Sequence, residues 1–275
     1  MSSEKADRKD ILERLEGFRI ESAHSNACYR IPRGGSSVFL KIYGPKRPRA
    51  AYEIRKFLGA LGVRQPVEYT SPRKRMAFEE VTLRCWRERG YAVPVIVGNP
   101  MPELSPLPLL ATTFIEGMTL REAVRDPGMD PAKRRACLER LFSEVARRHD
   151  EAFRTNEPLL FHIDANSRNI LFAGNSFYHV DFEMGRPWEP LRQCASREVL
   201  KMLVTLSEDL EPDARGPVMR LFRECYRRKD VYQWVEKSIT GRPFQVVHRY
   251  SSRKRKKRHP GTVTLYDLIE YLVSS

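Results

Sequence analysis

The chain has no stretch approaching the roughly 18 consecutive apolar residues that a membrane-spanning helix needs. Its opening, MSSEKADRKDILERLEGF, is charged and lacks the apolar segment of a secretion signal, so a cytoplasmic protein is the expectation. Cysteine is sparse. Cys28, Cys85, Cys137, Cys194 and Cys225 are odd in number, far apart, and form no CxxC pair. That argues against a disulfide framework or a zinc ribbon and for reduced, buried thiols. There is no internal repeat and no long low-complexity segment, which sets aside solenoid architectures. Acidic residues are also in short supply: 35 Asp and Glu face 49 Lys and Arg, a net charge of +14. A field of that sign favours polyanions such as nucleic acid, anionic lipid, phosphorylated sugars or ATP, without choosing among them. A basic surface that is simply solvated fits the same number.

With 275 residues and 41 % hydrophobic content, the chain can bury the core of two modest lobes or one large domain. Residues 5–17 place Ile11, Leu12 and Leu15 at helical spacing. Residues 17–31 and 37–43 read as strands joined by the turn Pro32-Arg33-Gly34-Gly35. Helices are expected over 48–62 and 73–90, the latter ending at Gly90. AVPVIVG reads as a short strand, NPMPELSPLPLL as a loop, and ATTFIEG as a strand broken by Gly117. Helices follow at 118–126 and 131–153, then short strands and loops over 159–182, then mostly helix over 189–239. The order is α+β, a small sheet with an inserted helix followed by a helical half. The lobe boundary is expected near Glu116–Thr119, dividing the chain into 1–116 and 117–275.

The chemistry concentrates in FHIDANSRNILFAGNSFYHVDFE, residues 161–183. Asn169 follows Asp164 by five positions, and after a turn at Ala173-Gly174-Asn175 an apolar strand ends in Asp181. A loop–strand–turn–strand hairpin would bring Asp164, Asn169 and Asp181 to one end of neighbouring strands. Hard oxygen ligands of this kind suit Mg²⁺, and phosphoryl transfer needs both such a metal and a carboxylate that accepts the proton of the attacking hydroxyl. The alternative is that Asp164 and Asn169 are turn residues and Asp181 a solvated strand end.

These residues resemble the protein-kinase superfamily: His162-x-Asp164-x-x-x-x-Asn169 matches its catalytic loop, and Asp181-Phe182-Glu183 stands where that family has D-F-G. The resemblance implies a two-lobed, protein-kinase-like fold, with Asp164 as catalytic base and Asn169 and Asp181 holding Mg²⁺. In Val38-Phe39-Leu40-Lys41-Ile42-Tyr43 it implies that Lys41 holds the ATP phosphates. A lysine amid an apolar strand is costly unless paired. By the same resemblance its partner would be Glu79 or Glu80, with Glu79 preferred because small-molecule kinases of this superfamily often carry the glutamate about fifteen residues before a proline, as Glu79 stands to Pro94. Between the first strands, Ala23-His24-Ser25-Asn26-Ala27 lacks the glycines usual there, and the Ser25 and Asn26 side chains are expected to meet phosphates. Thr113–Gly117, including Glu116, is the expected hinge that meets adenine through its backbone. His149 and His162 are read as structural hydrogen-bonding residues.

Departures narrow the branch. Ile163 replaces the catalytic-loop arginine, Glu183 the glycine after D-F, and no A-P-E follows. LKIY, RERGYAVPVIVG, TFIEGMTL, ARRHDEAF, H-x-D-x(4)-NIL and VDFE are more similar to aminoglycoside phosphotransferase-type kinases and to the lipopolysaccharide-core kinases of Kdo or heptose. The resemblance spans roughly residues 20–205 and implies a saccharide or small-molecule acceptor, with a lipopolysaccharide core sugar favoured. A compact serine/threonine protein kinase, a nucleotide-binding pseudokinase and a nucleic-acid-binding module stay open beside it. Residues 242–258 carry eight Lys or Arg and no acid. The cluster 253–258 suits an anionic membrane surface, and so a peripheral place at the inner membrane. It also suits nucleic acid or a plainly solvated run. The tail GTVTLYDLIEYLVSS has helical spacing and is expected to dock on the core.

Overall fold

The computed structural model describes residues 11, 13, 15–20, 26–45, 70–185, 188–240 and 263–273. The chain divides into two compact units, Met1–Glu116 and Gly117–Ser275. The fold class is α+β, a small β-rich lobe and a larger helical lobe in the element order of a protein-kinase-like chain.

The first unit is built on a four-stranded antiparallel sheet in chain order. Its strands are β1 (Arg19–Ile20), β2 (Ala27–Arg33), β3 (Ser36–Ile42) and β4 (Leu109–Thr113). Gly34 and Gly35 close the β2–β3 hairpin with φ of +52° and +81°, values that glycine adopts without the Cβ penalty most residues would meet. Side chains alternate across a strand, so Val38 and Leu40 of β3 face one side. There they join Tyr29, Ala111, Leu104, Ile11 and Leu15 in a buried cluster. Lys41 belongs to the other face, toward helix α1 (Pro72–Glu88). Ser71 caps that helix by accepting from the Lys74 amide, and Pro72 fills its first turn.

Two expectations need adjustment in this unit. AVPVIVG is not a strand, since only Ile96 bridges, to Thr112. Pro94 has no N–H to give to a ladder, which makes a regular pairing there unfavourable. ATTFIEG is strand only to Thr113, and the sheet starts earlier, at Leu109. The expected helix over 48–62 and the basic run 253–258 lie outside the described residues.

The second unit opens with β5 (Met118–Thr119) and α2 (Leu120–Arg125). Thr119 and Glu122 form a capping box, each bonding the other's backbone amide. Helix α3 (Pro131–Thr155) follows, capped by Asp130 and ended by Asn156 in the left-handed region. Strands β6 (Ile170–Ala173) and β7 (Ser176–His179) complete a three-stranded sheet with β5. Helices α4 (Leu191–Asp209), α5 (Pro212–Cys225), α6 (Lys229–Thr240) and α7 (Leu265–Val273) make the remainder. Their core holds Leu138, Leu141, Phe142, Val145, Val199, Leu203, Leu206 and Phe222, all buried. Phe142 and Phe222 meet edge to face at 5.1 Å. The tail helix α7 docks on α4, α5 and α6 as expected, burying Leu268 and Leu272. No described helix is long and apolar enough to cross a membrane.

Candidate active site

In the first unit, the Lys41 ammonium donates to Glu79 Oε2 at 2.7 Å, and both side chains are about 94 % buried, with 6 % and 7 % exposed. The Tyr43 hydroxyl donates to the same oxygen at 2.7 Å. A buried charge pair is tolerated only with good geometry and further hydrogen bonds, and Tyr43 supplies one. Glu79 is thereby the partner of Lys41. Glu80 instead pairs with Arg84 along the exposed side of α1, at 2.9 Å.

Asn26 is buried, and its side-chain oxygen accepts from Arg75 Nη1 at 3.1 Å, so the structure gives it an internal partner where a phosphate contact was expected. The Arg75 guanidinium also holds the Gly44 carbonyl, which fixes the end of β3 to α1. Ser25 lies outside the described residues. Glu116 is largely exposed and its carboxylate pairs with Arg30, leaving its backbone as the part free of side-chain chemistry.

In the second unit, the loop after the turn Pro158–Leu160 carries Asp164. Its backbone oxygen accepts from the Asn166 amide at 2.7 Å and from Asn169 Nδ2 at 3.0 Å. The carboxylate is approached by Asn169 Nδ2 at 3.5 Å, the outer limit of a hydrogen bond. Val180 donates its amide to the Asn169 carbonyl at 3.0 Å, so the end of β7 lies beside Asn169. The buried Phe182 ring packs on the His162 ring, centroids 4.5 Å apart, and staples the Asp164 loop to the Asp181 segment. Asp164, Asn169 and Asp181 are thus carried by adjoining backbone. Asp181 has φ +65°, a left-handed conformation that costs a non-glycine residue of order 1–3 kcal/mol and is most often kept at functional positions.

Helix α4 holds this loop by a row of polar side chains at 198, 201, 205 and 209, spaced to share one face. Glu198 Oε2 accepts from the His162 amide at 2.7 Å. Lys201 Nζ stands 3.1 Å from Asp164 Oδ1. Thr205 Oγ1 accepts from the Ser167 amide at 3.1 Å, and Asp209 accepts from the Ser167 hydroxyl. None of these α4 residues was expected from the sequence.

Glu198 is fully buried and also takes Arg148, in two contacts, and His149 Nε2 at 2.9 Å. Burial alone would raise its proton affinity, but Arg148 and His149 outweigh that and hold the carboxyl well below its ordinary value. Burial lowers the proton affinity of His149, so the ring is neutral. Its Nε2–H then donates to Glu198 while Nδ1 accepts from the Tyr226 hydroxyl at 2.7 Å, which burial keeps protonated. Burial, reinforced by His179, pushes His162 down to about 3. Both histidines are buried, at 0 % and 1 % exposure.

The donor set suits the implied metal: one amide oxygen at Asn169 and one carboxylate at Asp181 are hard ligands of the kind Mg²⁺ takes beside phosphate oxygens and water. The class these two units define is an α+β, protein-kinase-like fold with its strand lysine paired to a helix glutamate. No family model and no curated protein matches the sequence. Among solved structures, the chain is similar to WaaP in complex with acyl carrier protein, at 13 % identity and TM-score 0.46, covering 90 % of this chain and 91 % of that one. It is similar to the PknI kinase domain of Mycobacterium tuberculosis, at 14 % identity and TM-score 0.43, covering 80 % and 93 %. It is also similar to an apo pseudokinase, at 12 % identity and TM-score 0.42, covering 78 % and 86 %. Substrate and chemistry are therefore argued from the side chains of this chain.

Proposed function

We propose that the protein is an ATP-dependent phosphotransferase that moves the γ-phosphate to a hydroxyl of a saccharide or other small molecule. The observation that carries this reading is the buried pair between Lys41, in the apolar half of β3, and Glu79 of α1. Such a pair adds little to stability. A lysine fixed by a glutamate is what nucleotide phosphates require.

In this reading Lys41 holds the α- and β-phosphates, and Glu79 with the Tyr43 hydroxyl fixes the ammonium position. The backbone of Thr113–Gly117 meets adenine. Asn169 and Asp181 would hold Mg²⁺, which would supply charge neutralisation at the phosphates. Asp164 orients the acceptor hydroxyl and takes its proton as the oxygen bonds to the γ-phosphorus. The bond to the β,γ-bridging oxygen breaks, and ADP leaves. Lys201 sits 3.1 Å from Asp164 Oδ1 and Asn169 Nδ2 reaches Oδ2 only at 3.5 Å, so Oδ2 is the less engaged oxygen for the hydroxyl. A lipopolysaccharide core sugar is the first acceptor to test, on the strength of the sequence resemblance and of the +14 charge, which suits an anionic glycolipid.

The test is transfer of labelled γ-phosphate from Mg-ATP to core oligosaccharides and to a panel of sugars. Wild type should label at least one acceptor, and Asp164→Asn should lower the rate about 10²–10⁴-fold, the scale of a lost general base. Undiminished transfer by Asp164→Asn removes the proposed base. Phosphate appearing on serine of the protein itself, instead of on sugars, moves the acceptor class to protein.

A further inference from the structure

In the second unit, Thr119, Arg121, Glu122, Arg125, Asp126 and Arg168 line an open hollow of about 590 Å³. That size falls within the range of small-molecule sites. Arg168 lies four positions beyond Asp164 on the same loop, and the Arg121 amide donates to the Ser167 carbonyl at 3.0 Å. The hollow is therefore built onto the loop that carries the proposed base.

Its charges are unevenly satisfied. Arg121 Nε and Arg125 Nη2 both lean on a single oxygen, Asp209 Oδ1, at 3.2 and 2.7 Å. Asp209 is only 6 % exposed, and its second oxygen already accepts from the Ser167 hydroxyl. Glu122 is turned to its capping box, where it accepts from the Thr119 amide and hydroxyl. Asp126 Oδ1 accepts from the Gly128 amide at 2.8 Å. The Arg168 guanidinium is exposed and has no ion-pair or hydrogen-bond partner among the described residues. Each guanidinium carries five N–H donors in a fork that fits a phosphate or carboxylate. Arg121 and Arg125 share one aspartate oxygen and Arg168 has no partner among the described residues, while the Glu122 and Asp126 carboxylates of the lining are each engaged by a backbone amide, so the guanidiniums keep donors in excess of the acceptors they meet.

We propose that this hollow binds an anionic group, phosphate or carboxylate, of the acceptor, so that the substrate class is an acidic or already phosphorylated sugar. The inference rests on the phosphotransferase reading for its role, though binding at the hollow can be measured without it. Arg168 and Arg125 would grip the anion, while Arg121, tied to the Asp209 carboxylate and the Ser167 carbonyl, sets the floor.

Isothermal titration of the full chain, with Mg-AMPPNP saturating so that nucleotide phosphates do not compete, provides the test. Glucose 6-phosphate and glucuronate should bind saturably, and neutral glucose should not. Arg168→Gln should weaken glucose 6-phosphate binding about tenfold, equivalent to about 1.4 kcal/mol, with a melting curve like that of wild type. Arg125→Gln with Arg168→Gln should weaken it further. The two acidic probes tell a phosphate site from a carboxylate site. Equal binding of glucose, no saturable binding of either acid, or wild-type affinity in Arg168→Gln overturns the proposal. Turnover retained in Asp164→Asn would remove the proposed base and leave the subsite standing.

Discussion

Glu79 in the first unit and Glu198 in the second are both buried carboxylates facing a cation, yet they are built differently. Glu79 shares one oxygen between Tyr43 and the ammonium of Lys41, a flexible side chain near the end of β3. Glu198 takes donors from Arg148, His149 and the His162 amide, and every side chain involved has no more than 1 % exposure. A planar guanidinium gripping both carboxylate oxygens is a rigid joint, whereas an ammonium is a point charge that can be shared. The first arrangement suits a ligand that adds its own charges. The second suits a hub that fixes where α3, α4 and the Asp164 loop meet.

The comparison is broken most directly at the hub. Glu198→Ala strips the partner from a fully buried guanidinium and from two further donors, and should cost about 3–5 kcal/mol, read from the midpoint of urea unfolding. Replacing Arg148 and Glu198 together by Met and Gln should stay destabilising, because the Leu160 carbonyl also loses the Arg148 donor. The Lys41–Glu79 pair should behave oppositely. Lys41→Met with Glu79→Gln removes both charges at once, and such replacements are often neutral or stabilising. Its melting temperature should stay within a few degrees of wild type or rise, while phosphotransfer falls about 10²–10³-fold, the scale of a lost transition-state donor. A double variant that unfolds, or one that keeps its rate, would erase the distinction between the two carboxylates.

A smaller effect is expected at Gly117. A Cβ there would stand 2.6 Å from the Phe172 carbonyl oxygen and 2.9 Å from Ala173 Cβ. Gly117→Ala should therefore push β5 from β6 at a cost of about 1–3 kcal/mol, measured by thermal melting. The sequence marks Gly117 as a strand breaker, and the close approach to β6 supplies a further reason for a glycine. Much else was legible in the same way. The Lys41 strand, the β6–β7 hairpin and the tail helix follow from local periodicity and turn residues, and the choice of Glu79 over Glu80 from the family resemblance. What escaped is long-range. Lys201, Asp209, Arg121 and Arg125 read as ordinary helix charges, since nothing local says that α4 lies under the Asp164 loop. One signal was available: Glu198 stands among Ala195, Ser196, Val199, Met202 and Leu203, on a helix whose apolar positions demand burial. A carboxylate there needs partners. Asn26 is the complementary case, because a turn asparagine looks the same whether it faces a ligand or an arginine from a distant helix, and its oxygen takes Arg75.

Acidification should sharpen the contrast, because the hub titrates as a group. Glu198 is held below its ordinary value of 4.5 and His162 is pushed from 6.5 to about 3, with His149 also lowered. In each case the unfolded chain binds a proton more readily than the folded one. Stability therefore rises with pH wherever the two states differ in protonation, and falls as pH drops. The loss begins below about 6.5, where unfolded histidines charge while His149 and His162 stay neutral. For His162 it continues toward about 3, and Glu198 joins below 4.5. The slope should approach about 1.4 kcal/mol per pH unit for each histidine in its window. Urea midpoints measured from pH 7 to pH 4 check this. His162→Gln should flatten part of the slope, because an amide has no proton to gain in that range. A profile unchanged by that substitution would show that His162 is not buried neutral beside Phe182, and would loosen the link between the Asp164 loop and the Asp181 segment.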